Sequence, residues 1–189
     1  LPMIVNQAGK PYSKRDGDAY VGDFRANGYL SEALFNYLVL LGWSPGDDRE
    51  VIPKADLVRD FDLARVQQSP AQVDLRKLDW MNGEYLREMP ADTYQLAFAT
   101  ALQAGGAETS DAGLVAGAAA LYQSRLKKLT DAASTTAYLF GDDYPVDEKN
   151  WRKRFGKEGA TETLAGVRAA RRRRHMRVLH FALDSWQVY

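Results

Sequence analysis

The chain has 189 residues, a formal net charge of zero and no cysteine. Disulfide frameworks, thiolate zinc sites and cysteine nucleophiles are therefore excluded. Hydrophobic residues make up 46% of the chain, with ten Tyr, seven Phe and four Trp, enough apolar surface for a sizeable core in one large or two small domains. The zero net charge conceals an asymmetry: residues 149–189 hold eleven basic and three acidic groups, so the preceding 148 are acidic on balance. One end is then suited to a polyanion, or is simply a solvated basic tail. No stretch approaches bilayer length and no secretory signal opens the chain, so a soluble, cytoplasmic protein is expected.

The apolar run Leu1-Pro2-Met3-Ile4-Val5 reads as a strand that delivers the chain into a Gly-bounded loop, residues 9–17. Asp18 is expected to cap a short helix through Arg25, closed by Asn27-Gly28. Ser31, with Glu32 in the first turn, opens a helix to Leu41, and Gly42 stands at the position that follows a helix end. Ala33, Leu34, Tyr37, Leu38 and Leu41 mark its buried face, and Phe35, Val39 and Leu40 make it apolar nearly all round, hence central. Trp43 to Asp48 is a turn cluster, after which Pro53 suits the first position of a helix through about Phe61.

Ser69-Pro70 breaks the chain. Leu75, Leu78, Trp80, Met81 and Tyr85 then give a helix interrupted near Asn82-Gly83 and ended by Met89-Pro90, where a domain boundary is expected. Trp43 and Trp80 read as core. Three helices fit 92–104, 110–128 and 130–140, and two basic helical stretches follow at about 147–156 and 160–172. Strand signals are almost absent after residue 6, so the second half should be an α-helical bundle.

The loop carries the chemistry. Lys10, Lys14 and Arg15 crowd around Ser13, and like charges on a tight loop repel one another. A polyanion such as a nucleotide triphosphate would explain the cluster, with lysine as a point charge and serine as a donor. A solvated basic surface loop is the alternative on chemistry alone. Both histidines, His175 and His180, lie in the last fifteen residues, so no Ser-His-Asp arrangement can be built from the rest. The pairs Asp47-Asp48 and Asp142-Asp143 lie in turn clusters, where Asp is common for backbone reasons.

Ser13-Lys14-Arg15 followed by Asp16-Gly17 resembles the second signature, KMSKS, of class I aminoacyl-tRNA synthetases, in the form found in glutamyl-tRNA synthetases. The string continues with Gly28-Tyr29-Leu30, Glu32-Ala33-Leu34, Asn36-Tyr37-Leu38 and Leu41-Gly42-Trp43-Ser44. Phe61-Asp62-Leu63, Ser69-Pro70-Ala71, Lys77-Leu78, Trp80 to Leu86, Tyr138-Leu139-Phe140 and Asp143-Tyr144-Pro145-Val146 extend it over roughly residues 1–165. The motif's first lysine falls at Pro11, with Tyr12 at the apolar position, and Lys10 is one residue upstream.

The resemblance implies a mainly α chain: a catalytic-domain end with the loop at 1–17, a helical stem-contact domain at 18–90 and a helical anticodon-binding bundle at 91–170. An atypical basic tail at 171–189 reads as a truncated or frame-shifted end rather than an RNA-binding arm. Nothing resembles the HIGH signature of the Rossmann half, so a C-terminal fragment is expected. Lys14 and Ser13 would be catalytic. Both, with Arg15 and Lys10, would bind ATP, which brings Mg²⁺ with it; no residue offers itself as a metal ligand.

Arg125 falls where discriminating family members read the third anticodon base; it is equally a helix C-terminal cation, as Lys127 and Lys128 are. The basic stretch Lys149–Lys157, with Trp151 and Phe155 interleaved, could follow the tRNA backbone, but their i, i+4 spacing favours a buried helix face with the cations solvated. The activity implied is ATP-dependent joining of glutamate to tRNA(Glu), by a monomer, the isolated fragment itself inactive. Rival readings are a free-standing helical RNA-binding module without catalysis, and a shortened tRNA-modifying relative, which would lack the sequence past residue 90.

Overall fold

The computed structural model describes residues 2–17, 19–141 and 148–155. The chain divides into two units, Leu1–Asp143 and Tyr144–Tyr189. The Asp142-Asp143 turn, the 160–172 helix, both histidines and the basic tail lie outside the described residues; the first helix is capped at Tyr20, whose N–H donates to Asp23, and not at Asp18 as expected.

The first unit opens with β1 (Ile4–Val5), which pairs in parallel with β2 (Ala71–Gln72) in the register Ile4↔Ala71 and Val5↔Gln72. Two residues per strand leave no alternation to read, and for that reason β2 was invisible in the sequence. Between the strands lie α1 (Val21–Ala26), α2 (Ser31–Leu40) and α3 (Lys54–Asp60). Pro53 is the N-cap of α3 rather than its first helical residue.

α1 ends in a Schellman closure. Gly28, at φ +83°, donates its N–H to Arg25 O at 3.1 Å, and Tyr29 donates to Phe24 O at 3.1 Å. The accompanying apolar contact is an edge-on pair of the Phe24 and Tyr29 rings, 5.7 Å apart. Gly42, by contrast, has no left-handed backbone: a Cβ there would stand 2.5 Å from Pro2 Cγ, so its role is close approach to the first strand.

After β2 come α4 (Leu75–Glu88), α5 (Ala91–Ala104), α6 (Ala112–Tyr122) and α7 (Ala132–Phe140). α2 packs on α3 and α4, whereas α5 packs on α6 and α7. One core joins Tyr29, Leu34 and Tyr37 to Leu78 and Met81 of α4, and a satellite gathers Trp43, Ile52 and Leu57. In the helical bundle Tyr94, Phe98 and Leu102 of α5 are fully buried. Each such large apolar side chain contributes about 1.5–3 kcal/mol by leaving water. In the second unit α8 (Glu148–Phe155) carries an exposed i, i+4 pair between Arg152 and Glu148; the side chains of Trp151 and Phe155, and with them the expected buried face, lie outside what is described.

Four expectations are corrected. α4 runs unbroken through Asn82-Gly83, because the Asn82 side chain is completely buried and hydrogen-bonded rather than competing with its own backbone. Trp80 lies off the Leu78–Met81–Leu86 stripe and is 39% exposed. α2 is not apolar-buried all round: Phe35 and Leu38 face solvent while Asn36 is inside, its Oδ1 accepting from Ile52 N–H at 2.8 Å. The helix expected over 110–128 stops at Tyr122, since Gln123 and Leu126 turn back onto α4.

Gly28 and Gly9 separate two effects experimentally. Both have φ near +80° (+83° and +74°), yet a Cβ on Gly28 would lie 2.8–2.9 Å from Thr130 atoms while one on Gly9 meets nothing within 4 Å. Gly9→Ala should cost the backbone term alone, about 1–2 kcal/mol, and Gly28→Ala clearly more. Urea unfolding midpoints check this; equal losses would mean the Thr130 contact carries no weight.

Candidate functional site

The loop after β1 is held by two side chains that are not its cations. Asn6 Oδ1 accepts the N–H groups of Ala8 and Lys10, both at 3.0 Å, an arrangement typical of an Asx turn. Its Nδ2 donates to Asp16 Oδ1 at 2.7 Å. Asp16 Oδ2 accepts both the backbone N–H and the hydroxyl of Ser13 at 2.9 Å. Tyr12 N–H closes the base of the loop on Ile4 O at 2.9 Å. Hydrogen bonds from Asn6 and then Ser13 hold the Asp16 carboxyl below its ordinary value of 3.8.

Lys10, Lys14 and Arg15 are exposed, and among the described residues none of their side chains is paired with a carboxylate. The loop therefore keeps its shape without neutralising its charge. Ser13 Oγ donates to Asp16 and accepts from Arg15 N–H at 3.3 Å, so its hydroxyl orients the loop in this conformation. Pro11 forms an antiparallel bridge with Val5 and so belongs to the loop's stem.

Beside the loop lies an open depression of about 420 Å³, lined by Asn6, Tyr12 and Asp16 from one side and by Asp74, Leu75 and Arg76 from the other. The second group is the beginning of α4. Asp74 caps that helix by accepting Arg76 N–H at 2.9 Å, and Tyr37 OH fixes the cap through Asp74 N–H at 2.8 Å and Asp74 O at 3.1 Å. Burial raises the Tyr37 phenol above its ordinary value of 10.0, which keeps it a neutral donor there.

Arg125 lies in the turn after α6 rather than on the helix, and it is exposed. Its neighbours are firmly placed. Leu126 is 5% exposed, Gln123 Nε2 donates to Met89 O at 2.7 Å and Leu86 O at 3.2 Å, and Lys127 O accepts from Asn82 Nδ2 at 2.5 Å. Lys128 is not a free helix-end cation: its Nζ lies 5.4 Å over the Tyr29 ring and 3.9 Å from Asp79. Five sequence candidates thus fall in two places, Lys10, Ser13, Lys14 and Arg15 on one loop and Arg125 on a separate turn. Sequence reasoning missed Asn6 and the bracing role of Asp16, although an asparagine just after a strand is a turn signal.

Comparison with known proteins bears on both places. Residues 1–80 match the family model for the catalytic domain of class I tRNA synthetases (E and Q). The chain is 40% identical over 167 residues to the glutamate–tRNA ligase of Synechocystis sp., covering 86% of this chain and 34% of that protein. It is 40% identical over 170 residues to that of Thermobifida fusca, covering 87% and 35%. It also resembles a crystal structure of glutamate-tRNA synthetase from Elizabethkingia anophelis at TM-score 0.69 and 29% identity, covering 81% of this chain and 34% of that one. A glutamate tRNA ligase from Elizabethkingia meningosepticum shares the fold at TM-score 0.74 with 24% identity. The chain spans about a third of the length of the curated relatives it matches. Over that third it is similar to the glutamate–tRNA ligases, with the match to the class I catalytic-domain model at its first 80 residues.

Proposed function

We propose that the chain works as the ATP-loop and tRNA-facing portion of a glutamate–tRNA ligase, the ligase activating glutamate with ATP and passing it to the 3′ end of tRNA(Glu). One observation carries this: a loop braced by Asn6 and Asp16 that leaves three unpaired cations exposed, at the position of the family's second signature. Activation is attack of a carboxylate on the α-phosphate with pyrophosphate leaving, and charge builds on phosphate oxygens in the transition state. Pre-positioned cations that engage it there lower the barrier.

Lys14 is the principal phosphate cation in this reading, Arg15 flanks it, and Lys10 serves as a weaker second point charge in place of the lysine that Pro11 replaces. Ser13 orients the loop through Asp16. In this reading Mg²⁺ comes with the triphosphate as part of the substrate. A nucleotide site needs walls on more than one side. The remaining two thirds of the relatives' length accordingly supply, in this reading, the Rossmann half and the glutamate pocket.

Residues 1–17 would close the catalytic domain, 18–90 would meet the tRNA stem and 91–170 would bind the anticodon. Arg125 would read the third anticodon base, for which a planar five-donor fork is suited.

Two measurements on the complete ligase carrying this chain check the loop. Lys14→Ala should lower kcat of glutamate-dependent ATP–pyrophosphate exchange by about 10²–10³-fold, the scale for losing one fixed transition-state group, and Lys10→Ala far less. Unchanged exchange in Lys14→Ala would remove the ATP role. Asp16→Ala should raise KM for ATP while leaving KM for tRNA unmoved. Because the folded Asp16 carboxyl titrates below 3.8, the brace is complete above the ordinary value and is lost only as pH falls through the lowered one. The Asp16→Ala defect should therefore be constant across the neutral range; a defect that varies with pH there would contradict it.

A further inference from the structure

Resting on the reading of Arg125 as an anticodon-base reader, we infer that Asn82 and Gln123 are its positioning residues, and that they fasten the Arg125 turn, which follows α6, to α4. The turn bearing Arg125 is fastened on both sides. On its N-terminal side, Gln123 Nε2 donates to the carbonyls of Leu86 and Met89, groups at the end of α4 that lack helical partners. On its C-terminal side, Asn82 Nδ2 donates to Lys127 O.

The same Asn82 amide reaches a third segment. Its Oδ1 accepts Leu30 N–H at 2.8 Å, so one fully buried side chain ties α4 to the residues before α2 and to the segment after α6. Thr130 Oγ1 donates to Asn27 O at 2.9 Å, closing the same three-way contact. Asp79, three residues before Asn82, accepts Tyr29 OH at 2.6 Å and faces Lys128 at 3.9 Å. The turn packs over Gly83, whose Cβ position lies at ordinary contact distance, 3.6 Å, from Leu126 O and Lys127 Cα.

The bonds made by Asn82 and Gln123 reach across 34 to 54 residues of sequence, as local caps do not. Neither Asn82 nor Gln123 touches solvent-facing chemistry of its own. What both fix is where residues 123–127, with Arg125 between them, sit on α4. Asn82 lies on the same helix whose first turn lines the depression beside the ATP loop. A guanidinium reads a base edge by paired hydrogen bonds, which tolerate little displacement. Loosening either anchor should therefore relax base discrimination before it impairs activation.

The test uses the complete ligase, with transcripts of tRNA(Glu) carrying either the native or a replaced third anticodon base. The discrimination ratio is kcat/KM on one transcript over the other. Arg125→Ala should reduce it by about 5–150-fold, the range for one base-reading pair. Asn82→Ala and Gln123→Met should each reduce it several-fold through KM for tRNA, with ATP–pyrophosphate exchange at saturating tRNA(Glu) unchanged. Each, combined with Arg125→Ala, should add nothing further, because the anchors act through Arg125. Gln123→Met keeps the side-chain length and carries the test if Asn82→Ala does not fold. A folded Asn82→Ala or Gln123→Met with full discrimination, beside an Arg125→Ala that has lost it, overturns the positioning role alone. Full discrimination in Arg125→Ala overturns the reader and the positioning role together.

Discussion

A side-chain amide buried in the middle of a helix must find partners for its oxygen and its two N–H groups, or it costs the protein several kcal/mol. Asn82 of α4 finds them only because residues 28–30 and residue 127 are brought to it. That requirement orders much of the first unit. It sets the entry to α2 and holds the segment after α6 over Gly83. α4 consequently becomes the element that both halves share: its Leu78 and Met81 belong to the core with α2, and its last carbonyls receive Gln123 from the bundle.

The loop obeys the opposite electrostatic rule. Inside the fold the Asn82 amide is fully partnered; at residues 10–15 the N–H groups of Lys10, Tyr12, Ser13 and Arg15 are bonded while the cations are left unneutralised. Asn6 and Asp16 absorb the loop's hydrogen-bonding needs, and Asp16 is low enough in pKa to remain a carboxylate throughout the physiological range. Holding like charges close together without neutralising them is unfavourable in isolation. It is sensible for a site whose ligand brings several negative charges, as the proposed reading of the loop requires. The two places where the chain meets its substrates in this reading, loop and turn, lie against the beginning and the later turns of the same helix.

Much of this was legible in the sequence, and the gaps have physical reasons. The loop was legible because its chemistry is local: charge, hydroxyl and glycine within a few residues. The Asn27-Gly28 closure and α5 were legible for the same reason. Asn82-Gly83 was misread because an Asn-Gly pair is a local turn signal, and what overrides it lies 45 to 54 residues away. Arg125 seemed helical because Leu121 to Leu129 contains no breaker; the helix ends through tertiary contact with α4. Trp80 seemed buried by residue type, although its phase on α4 sets it beside the apolar stripe.

The most direct measurement is the acylation rate of individual lysine amines in the complete ligase, read by mass spectrometry with and without ATP and Mg²⁺. A triphosphate seated on the loop predicts that Lys14 is protected by the nucleotide while Lys127, exposed on the far turn, reacts at an unchanged rate. If nucleotide leaves Lys14 as reactive as before and protects lysines elsewhere, the loop does not hold ATP and its cations serve another purpose.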